Sequence, residues 1–260
     1  MDLELRGKVA LVTGASRGIG RGIAETLAKE GCKLLLTGRD EAALASVKAE
    51  ALKRGAAAET MAIDLRGPDA GTTLVAAVNR TYGRLDILVN NAGTTTRGDF
   101  LTQGDDLWHE GFALKFFAHV RLTRAAWPLL CESHGSLVII GGTAGKQPTA
   151  NSIIGASVNG AINSFALALA QLGNDADVQV NVVSPGHVDT GRLQKRIDAL
   201  KAETGLDEAA ARERYRQTLG VSRLGLPRDV ADLVAFVASP HGRWLHGTVI
   251  DQHGGQIHPI

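Results

Sequence analysis

The stretch TGASRGIG, Thr13 to Gly20, has the residue types and spacing that bind a phosphate group. Its three glycines permit a tight turn and a close approach of backbone N–H groups, and the positive end of a following helix faces the anion. An apolar run precedes the stretch and an amphipathic run follows it, which is the context that the motif requires. We therefore predict a dinucleotide pyrophosphate site; a purely structural strand-to-helix turn is the alternative. The residues assigned to the site are Gly14, Ser16, Arg17, Gly18, Ile19 and Gly20.

Two later segments bear on which dinucleotide is bound. Arg39 follows the second apolar run, at the place where NAD-binding folds carry an acid for the ribose 2′-hydroxyl. Arg39 and Arg17 together can clamp a 2′-phosphate, which favours NADP(H); two solvated arginines are the alternative. After the third run, Asp64 and Leu65 are candidates for the adenine contact, although Asp64 is equally suited to cap a helix.

Short apolar runs alternate with amphipathic stretches along the chain, and they define the elements that must position these residues. Strands are predicted at 8–13, 33–38, 57–64, 85–90, 135–141, 178–184 and 247–252. Helices are predicted at about 18–30, 40–54, 70–82, 105–131, 153–173 and 227–239.

Runs that are apolar on both faces and separated by helices imply parallel strands covered from both sides. We predict an α/β fold: a single doubly wound Rossmann domain over 1–260, with about seven parallel strands and helices on both faces. The charged segment 192–223 interrupts this pattern before the last helix. An insertion at the carboxyl edge of an open sheet typically covers a ligand crevice, so we expect a lid over the substrate at about 190–225.

Composition excludes several classes of function. The 260 residues contain 28 basic and 27 acidic side chains, so no strong positive field attracts nucleic acid or a membrane surface. The two cysteines, Cys32 and Cys131, fit neither a disulfide framework nor a zinc pattern. The histidines at 241, 246, 253 and 258 lack the spacing of a metal site, and none is predicted. We expect a cytoplasmic protein.

The motif NNAG, Asn90 to Gly93, ends the fourth predicted strand. Together with TGASRGIG, it makes the sequence resemble the classical short-chain dehydrogenase/reductase family. A Pro-Gly turn at 185–186 and a terminal Gly-Gly at 254–255 extend the resemblance from about Lys8 to Gly255. The family's Pro-Gly turn holds the nicotinamide carboxamide. The resemblance therefore implies an NADP(H) site that also includes Asn90, Ala92, Gly93, Pro185, Gly186, Val188 and Thr190.

The family's catalytic side chains do not carry over to this sequence. Aligning the segment 159–170 with the matching family helix places Gly155 at the tyrosine position and Asn159 at the lysine position. The serine position, thirteen residues before the tyrosine, then holds Gly142, and the asparagine position on the preceding helix holds Lys115. The resemblance thus implies an atypical member without the Asn-Ser-Tyr-Lys tetrad.

Other residues are candidates for the chemistry. Lysine and asparagine have exchanged places at 115 and 159, which keeps one amine and one amide facing the cofactor; a coincidence, with Lys115 extending to solvent, is the alternative. Thr143 offers a hydroxyl beside Gly142. His187 follows the Pro-Gly turn, so it is either a proton donor near the nicotinamide or a variable turn residue. Tyr215, in the insertion, either moves inward on closure or simply packs.

Three functions remain open from the sequence. The first is an NADP(H)-dependent oxidoreductase of a small carbonyl or alcohol with a non-standard proton donor. The second is a catalytically silent NADP(H)-binding subunit with a structural or regulatory role. The third is redox-neutral chemistry in the same crevice. By resemblance we also expect a homo-oligomer, a dimer or tetramer, with a hetero-oligomer containing an active homologue as another arrangement. The substrate is a small molecule that the sequence does not identify.

Overall fold

In the computed structural model, which describes residues 1–256, the seven apolar runs form one parallel sheet. The strands are β1 (Val9–Thr13), β2 (Lys33–Gly38), β3 (Ala58–Ala62), β4 (Ile87–Asn90), β5 (Ser136–Ile140), β6 (Gln179–Pro185) and β7 (Thr248–Gln252). Their order is β3-β2-β1-β4-β5-β6-β7. This confirms the doubly wound fold. The strand order reverses between β1 and β4, from which the strands are added in opposite directions, and such a switch point opens a ligand crevice.

The sheet is buried on both faces because alternate residues of each strand pack against different helices. In β1, Ala10 and Val12 join a core with the first, second and last helices, whereas Val9 and Leu11 face the others. The helices are α1 (Gly18–Lys29), α2 (Glu41–Lys53), α3 (Ala70–Tyr82), α4 (Asp105–Phe112), α5 (Ala118–Ser133), α6 (Ile153–Ala176), α7 (Gly191–Thr204), α8 (Glu208–Thr218) and α9 (Pro227–Ala238).

The helix predicted over 105–131 differs from the structure in one respect. A π-helical segment, Ala113–Phe117, separates α4 from α5, and Lys115 is the buried residue of this segment. A wider turn of this kind often marks a functional site, because it changes the direction in which a side chain projects. The pattern of apolar residues continues through the segment, so sequence periodicity does not reveal it.

The predicted insertion contains α7 and α8. These two helices share a small apolar cluster, formed by Leu193, Ile197 and Ala211. Among residues 1–256, only 150–176 is long and apolar enough to cross a membrane by length and composition. Its side chains at Ile154, Val158 and Ile162 lie in the core of the protein.

Candidate active site

The glycine-rich turn between β1 and α1 forms an open cradle. Gly14 and Gly18 have φ angles of 64° and 57°, in the left-handed region that favours glycine. A Cβ at position 20 would collide with the Gly14 carbonyl oxygen, so this position also requires glycine. Helix α1 begins at Gly18, and no side chain caps its N-terminus. The free N–H groups and the close backbone packing fit the pyrophosphate of a dinucleotide.

The NNAG turn is held against β1 by hydrogen bonds. The Thr13 hydroxyl accepts from the backbone N–H groups of Asn91 and Ala92, at 2.9 and 3.0 Å. The Asn90 side chain is fully buried and donates to Thr123 Oγ1 at 2.9 Å. A contact from Asn90 to a cofactor would therefore come from its main chain, whereas Ala92 and Gly93 stand at the carboxyl edge of the sheet.

His119 supports the same turn from below, and sequence reasoning missed it. Its Nε2 lies 2.7 Å from the Ala92 carbonyl oxygen, and the ring is 1% exposed. Burial lowers its pKa to about 4, so the ring is neutral near pH 7 and donates to this carbonyl. The i, i+4 spacing from Lys115 could have indicated that the two share a helix face.

The end of the crevice at β2 and β3 holds the predicted adenosine contacts. Gly38 packs against Ser16, and the exposed Arg39 follows it. Hydrogen bonds from Arg66 lower the pKa of Asp64 to about 2. The helix-cap alternative for Asp64 is wrong, since α3 begins at Ala70 and its N-cap residue is Asp69.

Two other predicted cofactor residues at this edge of the crevice pack into the protein. Leu65 is buried in the core on the α3 side of the sheet. Ile19 is half-buried against the opposite core. The side chains of Leu65 and Ile19 therefore shape the walls of the crevice. Because they are apolar, they cannot form a hydrogen bond with a cofactor.

The turn after β6 faces the glycine-rich turn. The Gly186 N–H donates to the Gln252 carbonyl oxygen at 3.0 Å, which anchors the turn to β7 beyond Pro185. Val188 forms a bridge with Gly225. A Cβ at Gly18 would lie 3.3 Å from Thr190 Cγ2, so the two turns approach each other across the crevice.

His187 is tied down on both sides of its ring. Its Nδ1 lies 3.0 Å from Gln256 Oε1, and its ring packs edge-on against Tyr215 at 5.6 Å between centroids. Burial, with repulsion from Arg196 and Arg97, lowers the pKa of His187. Tyr215 therefore packs in this structure, and its hydroxyl accepts from Arg196.

The four positions that the family resemblance selects lie together. Lys115 is 8% exposed, and its Nζ donates to Asn159 Oδ1 at 2.7 Å and to the Gly141 carbonyl oxygen at 3.1 Å. The alternative, in which Lys115 extends to solvent, is therefore wrong. Asn159 Nδ2 donates to the Gly155 carbonyl oxygen at 2.7 Å, and a Cβ at Gly142 would lie 3.2 Å from this nitrogen.

The electrostatics of Lys115 differ from those of a surface lysine. Burial, with a smaller contribution from repulsion by Arg192, lowers the pKa of Lys115 to about 7. The amine is therefore poised between its two protonation states at neutral pH, which is the condition for proton transfer in both directions.

Two hydroxyl groups border this cluster. A Cβ at Gly155 would lie 2.9 Å from Thr95 Oγ1, so the threonine covers the helix where it has no side chain. Sequence reasoning missed Thr95, although the run of three threonines directly after NNAG was a signal. Thr143 is half-buried, and its hydroxyl forms no hydrogen bond with the part of the chain that the structure describes.

No group of three His, Cys, Asp or Glu side chains in residues 1–256 is arranged to hold a metal ion. Of the four histidines near the C-terminus, His258 lies outside the described residues. His246 has a structural contact, since its Nε2 lies 2.8 Å from the Ala170 carbonyl oxygen.

A glycine cradle at the switch point of a doubly wound sheet, with a buried amine beside it, defines a dinucleotide-binding oxidoreductase. The family model "short chain dehydrogenase" matches residues 8–201, and the chain belongs to this family. The family uses a nicotinamide cofactor, and the cradle fits its pyrophosphate.

Known relatives agree with this assignment. The 3-oxoacyl-[acyl-carrier-protein] reductase FabG of Vibrio cholerae is 30% identical, over 97% of this chain and 98% of its own. An uncharacterised oxidoreductase of Methylorubrum extorquens is 34% identical over the same shares. The structure of L-sorbose reductase from Gluconobacter frateurii, complexed with NADPH and L-sorbose, superposes with a TM-score of 0.96 at 28% identity over the full length of both chains.

Proposed function

We propose that the protein is an NADP(H)-dependent oxidoreductase of a small carbonyl or alcohol in which Lys115 exchanges the proton. The observation that carries this proposal is the buried contact between Lys115 and Asn159, 2.7 Å from nitrogen to oxygen. In this proposal the family's tyrosine, serine, lysine and asparagine are replaced at Gly155, Gly142, Asn159 and Lys115.

The hydrogen bonds around Lys115 leave one direction open for proton transfer. An ammonium group has three N–H donors, and Asn159 and the Gly141 carbonyl accept two of them. The third position holds a proton in the charged form and a lone pair in the neutral form. The same nitrogen therefore serves as acid for reduction and as base for oxidation.

In the reduction direction a nicotinamide cofactor, when bound, would provide the hydride for the carbonyl carbon. Lys115 gives its proton to the carbonyl oxygen, which becomes the hydroxyl, and the neutral amine takes up a proton from solvent. Thr95 and Thr143, which border the Lys115 cluster, are candidate hydroxyl donors for orienting that oxygen, and Asn159 holds the amine. We assign His187 to the wall of the crevice and not to proton transfer, because its Nδ1 is hydrogen-bonded to Gln256.

The preference for NADP(H) rests on Arg39 and Arg17. Arg39 directly follows β2, at the place where NAD-binding folds carry an acid. The next residue, Asp40, uses its carboxylate to cap α2 by accepting from the Ala43 N–H. Arg39 lies close enough to Asp64 to contribute to the lowered pKa of that carboxyl. Because Asp64 is a predicted adenine contact, this supports a position of Arg39 at the adenosine end of the crevice. The L-sorbose reductase structure, which was solved in complex with NADPH, supports the same choice.

A homo-oligomer through α5 and α6 is proposed as well. The apolar side chains of Phe117, Leu167 and Leu172 are 51%, 43% and 54% exposed near these helices. A Cβ at Gly160 would meet nothing within 4 Å, so this glycine faces outward, whereas Gly155 is buried inside the protomer. Light scattering of the purified protein tests the assembly.

The experiment compares wild type with Lys115→Met. NADPH and NADH are titrated by fluorescence, and a panel of ketones, aldehydes and alcohols is then screened for turnover. We expect NADPH to bind more tightly than NADH, and the variant to bind NADPH equally while losing roughly 10²- to 10⁴-fold in kcat. Tight NADPH binding without turnover of any compound would instead favour the silent subunit.

A further inference from the structure

Three arginine side chains gather where the loop after β4 meets α7. Arg97 belongs to the loop, and Arg192 and Arg196 lie one turn apart on the helix. Arg192 Nη2 donates to the Gly93 carbonyl oxygen at 3.0 Å, and Arg196 Nη1 donates to Tyr215 Oη at 3.1 Å. Both partners are uncharged, so neither hydrogen bond neutralises a guanidinium group.

Within residues 1–256, none of these three arginines forms an ion pair with a carboxylate. Two other arginines of the insertion form ion pairs. Arg212 pairs with Asp189 and Glu208, and Arg216 pairs with Glu213. Three acids near these helices, Asp189, Glu208 and Glu213, are therefore engaged by other arginines. Asp198, on the same helix as Arg196, accepts a hydrogen bond from Gln194.

The three guanidinium groups also repel one another. The pKa of Arg97 is lowered by desolvation and then by Arg196, and the pKa of Arg192 is lowered by desolvation and then by Arg196, Arg97 and Arg17. The remaining groups at this place, His187 and Tyr215, contribute no negative charge near neutral pH. An arrangement of like charges without counterions is unfavourable until an anion joins it.

The cofactor accounts for only part of this charge. Its pyrophosphate fits the glycine cradle, and Arg39 serves the 2′-phosphate. Arg192, which reaches Gly93 and lies near Arg17, belongs to the nucleotide side. Arg97 and Arg196 lie further along, beside Tyr215 and His187. They have no partner in the cofactor that these assignments supply.

We propose that Arg97 and Arg196 form a site for an anionic group on the substrate, a carboxylate or a phosphate, so that the crevice accepts acidic carbonyl compounds in preference to neutral ones. Arginine is suited to both groups, because its planar fork donates two parallel hydrogen bonds to two oxygens. The inference rests on the proposed function, and it specifies the substrate class of that site.

The first test measures binding to the NADPH-saturated protein by calorimetry, which requires no turnover. The probes are 2- and 3-oxo carboxylates of three to eight carbons, each paired with its methyl ester, and triose and hexose phosphates, each paired with the neutral sugar. We expect at least one anionic probe to bind about tenfold or more tightly than its neutral partner. Comparison of the carboxylate probes with the phosphate probes shows which of the two groups the site binds.

The second test uses variants in the same assay. Arg97→Gln and Arg196→Gln are each expected to weaken the anionic probe about tenfold or more and to leave the ester and NADPH unchanged. Arg97→Lys keeps the charge without the planar fork and should lose less affinity than Arg97→Gln. Tyr215→Phe removes only the hydroxyl that Arg196 contacts, and Arg228→Gln, on α9, removes a distant exposed charge; neither should have a comparable effect. Thermal melting confirms that each variant is folded.

The inference is wrong if no anionic probe binds, if each neutral partner binds as tightly, or if Arg97→Gln and Arg196→Gln behave like Arg228→Gln. A protein that binds anions selectively but oxidises and reduces nothing would contradict the proposed reaction and leave the anion site standing. Turnover of neutral carbonyl compounds alone would contradict the anion site and leave the proposed reaction supported.

Discussion

Lys115 Nζ and Asn159 Oδ1 lie 2.7 Å apart, on two helices that approach each other beside the crevice. The orientation of the amide is fixed, because its Nδ2 donates to the Gly155 carbonyl oxygen one turn earlier. An amide that donates at one end must present its oxygen at the other. Asn159 is therefore an acceptor for the amine, and it stabilises the charged form of Lys115.

Substitutions at Asn159 should move the pKa of Lys115 in opposite directions. Asn159→Leu removes an acceptor from the ammonium, so we expect the pKa to fall below its present value of about 7. Asn159→Asp places a carboxylate beside the amine and should raise it. NMR titration of protein labelled at the lysine ε-carbon measures both, with Lys115→Met identifying the resonance. A shift of the same sign in the two variants would contradict this account.

Lys115 should make the stability of the protein depend on alkaline pH. Its folded pKa, about 7, is below the ordinary value of 10.5, so between these values the unfolded chain binds one more proton. The contribution of Lys115 to the free energy of unfolding therefore rises between these two pKa values, by about 1.4 kcal/mol per pH unit.

The measurement is the urea unfolding free energy of wild type and Lys115→Met from pH 7 to 10. Burial raises the pKa of Cys32 to about 12, which acts in the opposite direction, but it does so equally in both proteins. The difference between them isolates Lys115. A difference that stays constant with pH would show that the amine has an ordinary pKa.

Two helical glycines should respond oppositely to alanine. Gly20→Ala forces a Cβ into the Gly14 carbonyl oxygen, and we expect a loss of roughly 1–3 kcal/mol in stability together with weaker nucleotide binding. Gly160→Ala meets open space and should gain about 0.5–1 kcal/mol from the better helix propensity of alanine. Urea unfolding measures the stability of both variants, and titration measures their affinity for NADPH. The same change in stability and affinity in the two variants would refute the close packing of the cradle.

Arg39→Asp should exchange the cofactor preference. Removal of a charge-assisted hydrogen bond is expected to weaken NADPH roughly 10- to 100-fold, and the new carboxylate is positioned to accept from the 2′-hydroxyl of NADH. Arg54→Asp, at the far end of α2, makes the same charge change away from the crevice and serves as the control. Unchanged selectivity in Arg39→Asp would remove the argument for a 2′-phosphate site.

Much of the fold follows from the sequence, since a strand covered on both faces is a continuous apolar run. The run at 33–38 coincides with β2, because helices cover both of its faces. The π-helical segment at Lys115 escaped prediction because apolar periodicity continues through it. The cradle was predictable, since all of its residues are contiguous.

The substrate side was not predictable in the same way. Arg97 and Arg196 are separated by about a hundred residues, and nothing in their local sequence indicates that they approach each other. Thr95 and Gly155 meet only because a loop folds over the start of α6. Such pairs depend on how loops cross the edge of the sheet, which periodicity does not specify.

The hydrogen bond from Arg192 to the Gly93 carbonyl joins the insertion to the turn after β4. If the phosphates of a bound nucleotide came within reach of Arg192, they would offer its guanidinium a stronger partner than the carbonyl does. Nucleotide binding and the position of α7 would then be coupled. An interaction that stabilises α7 in this position would strengthen nucleotide binding, and bound nucleotide would stabilise α7 by the same free energy.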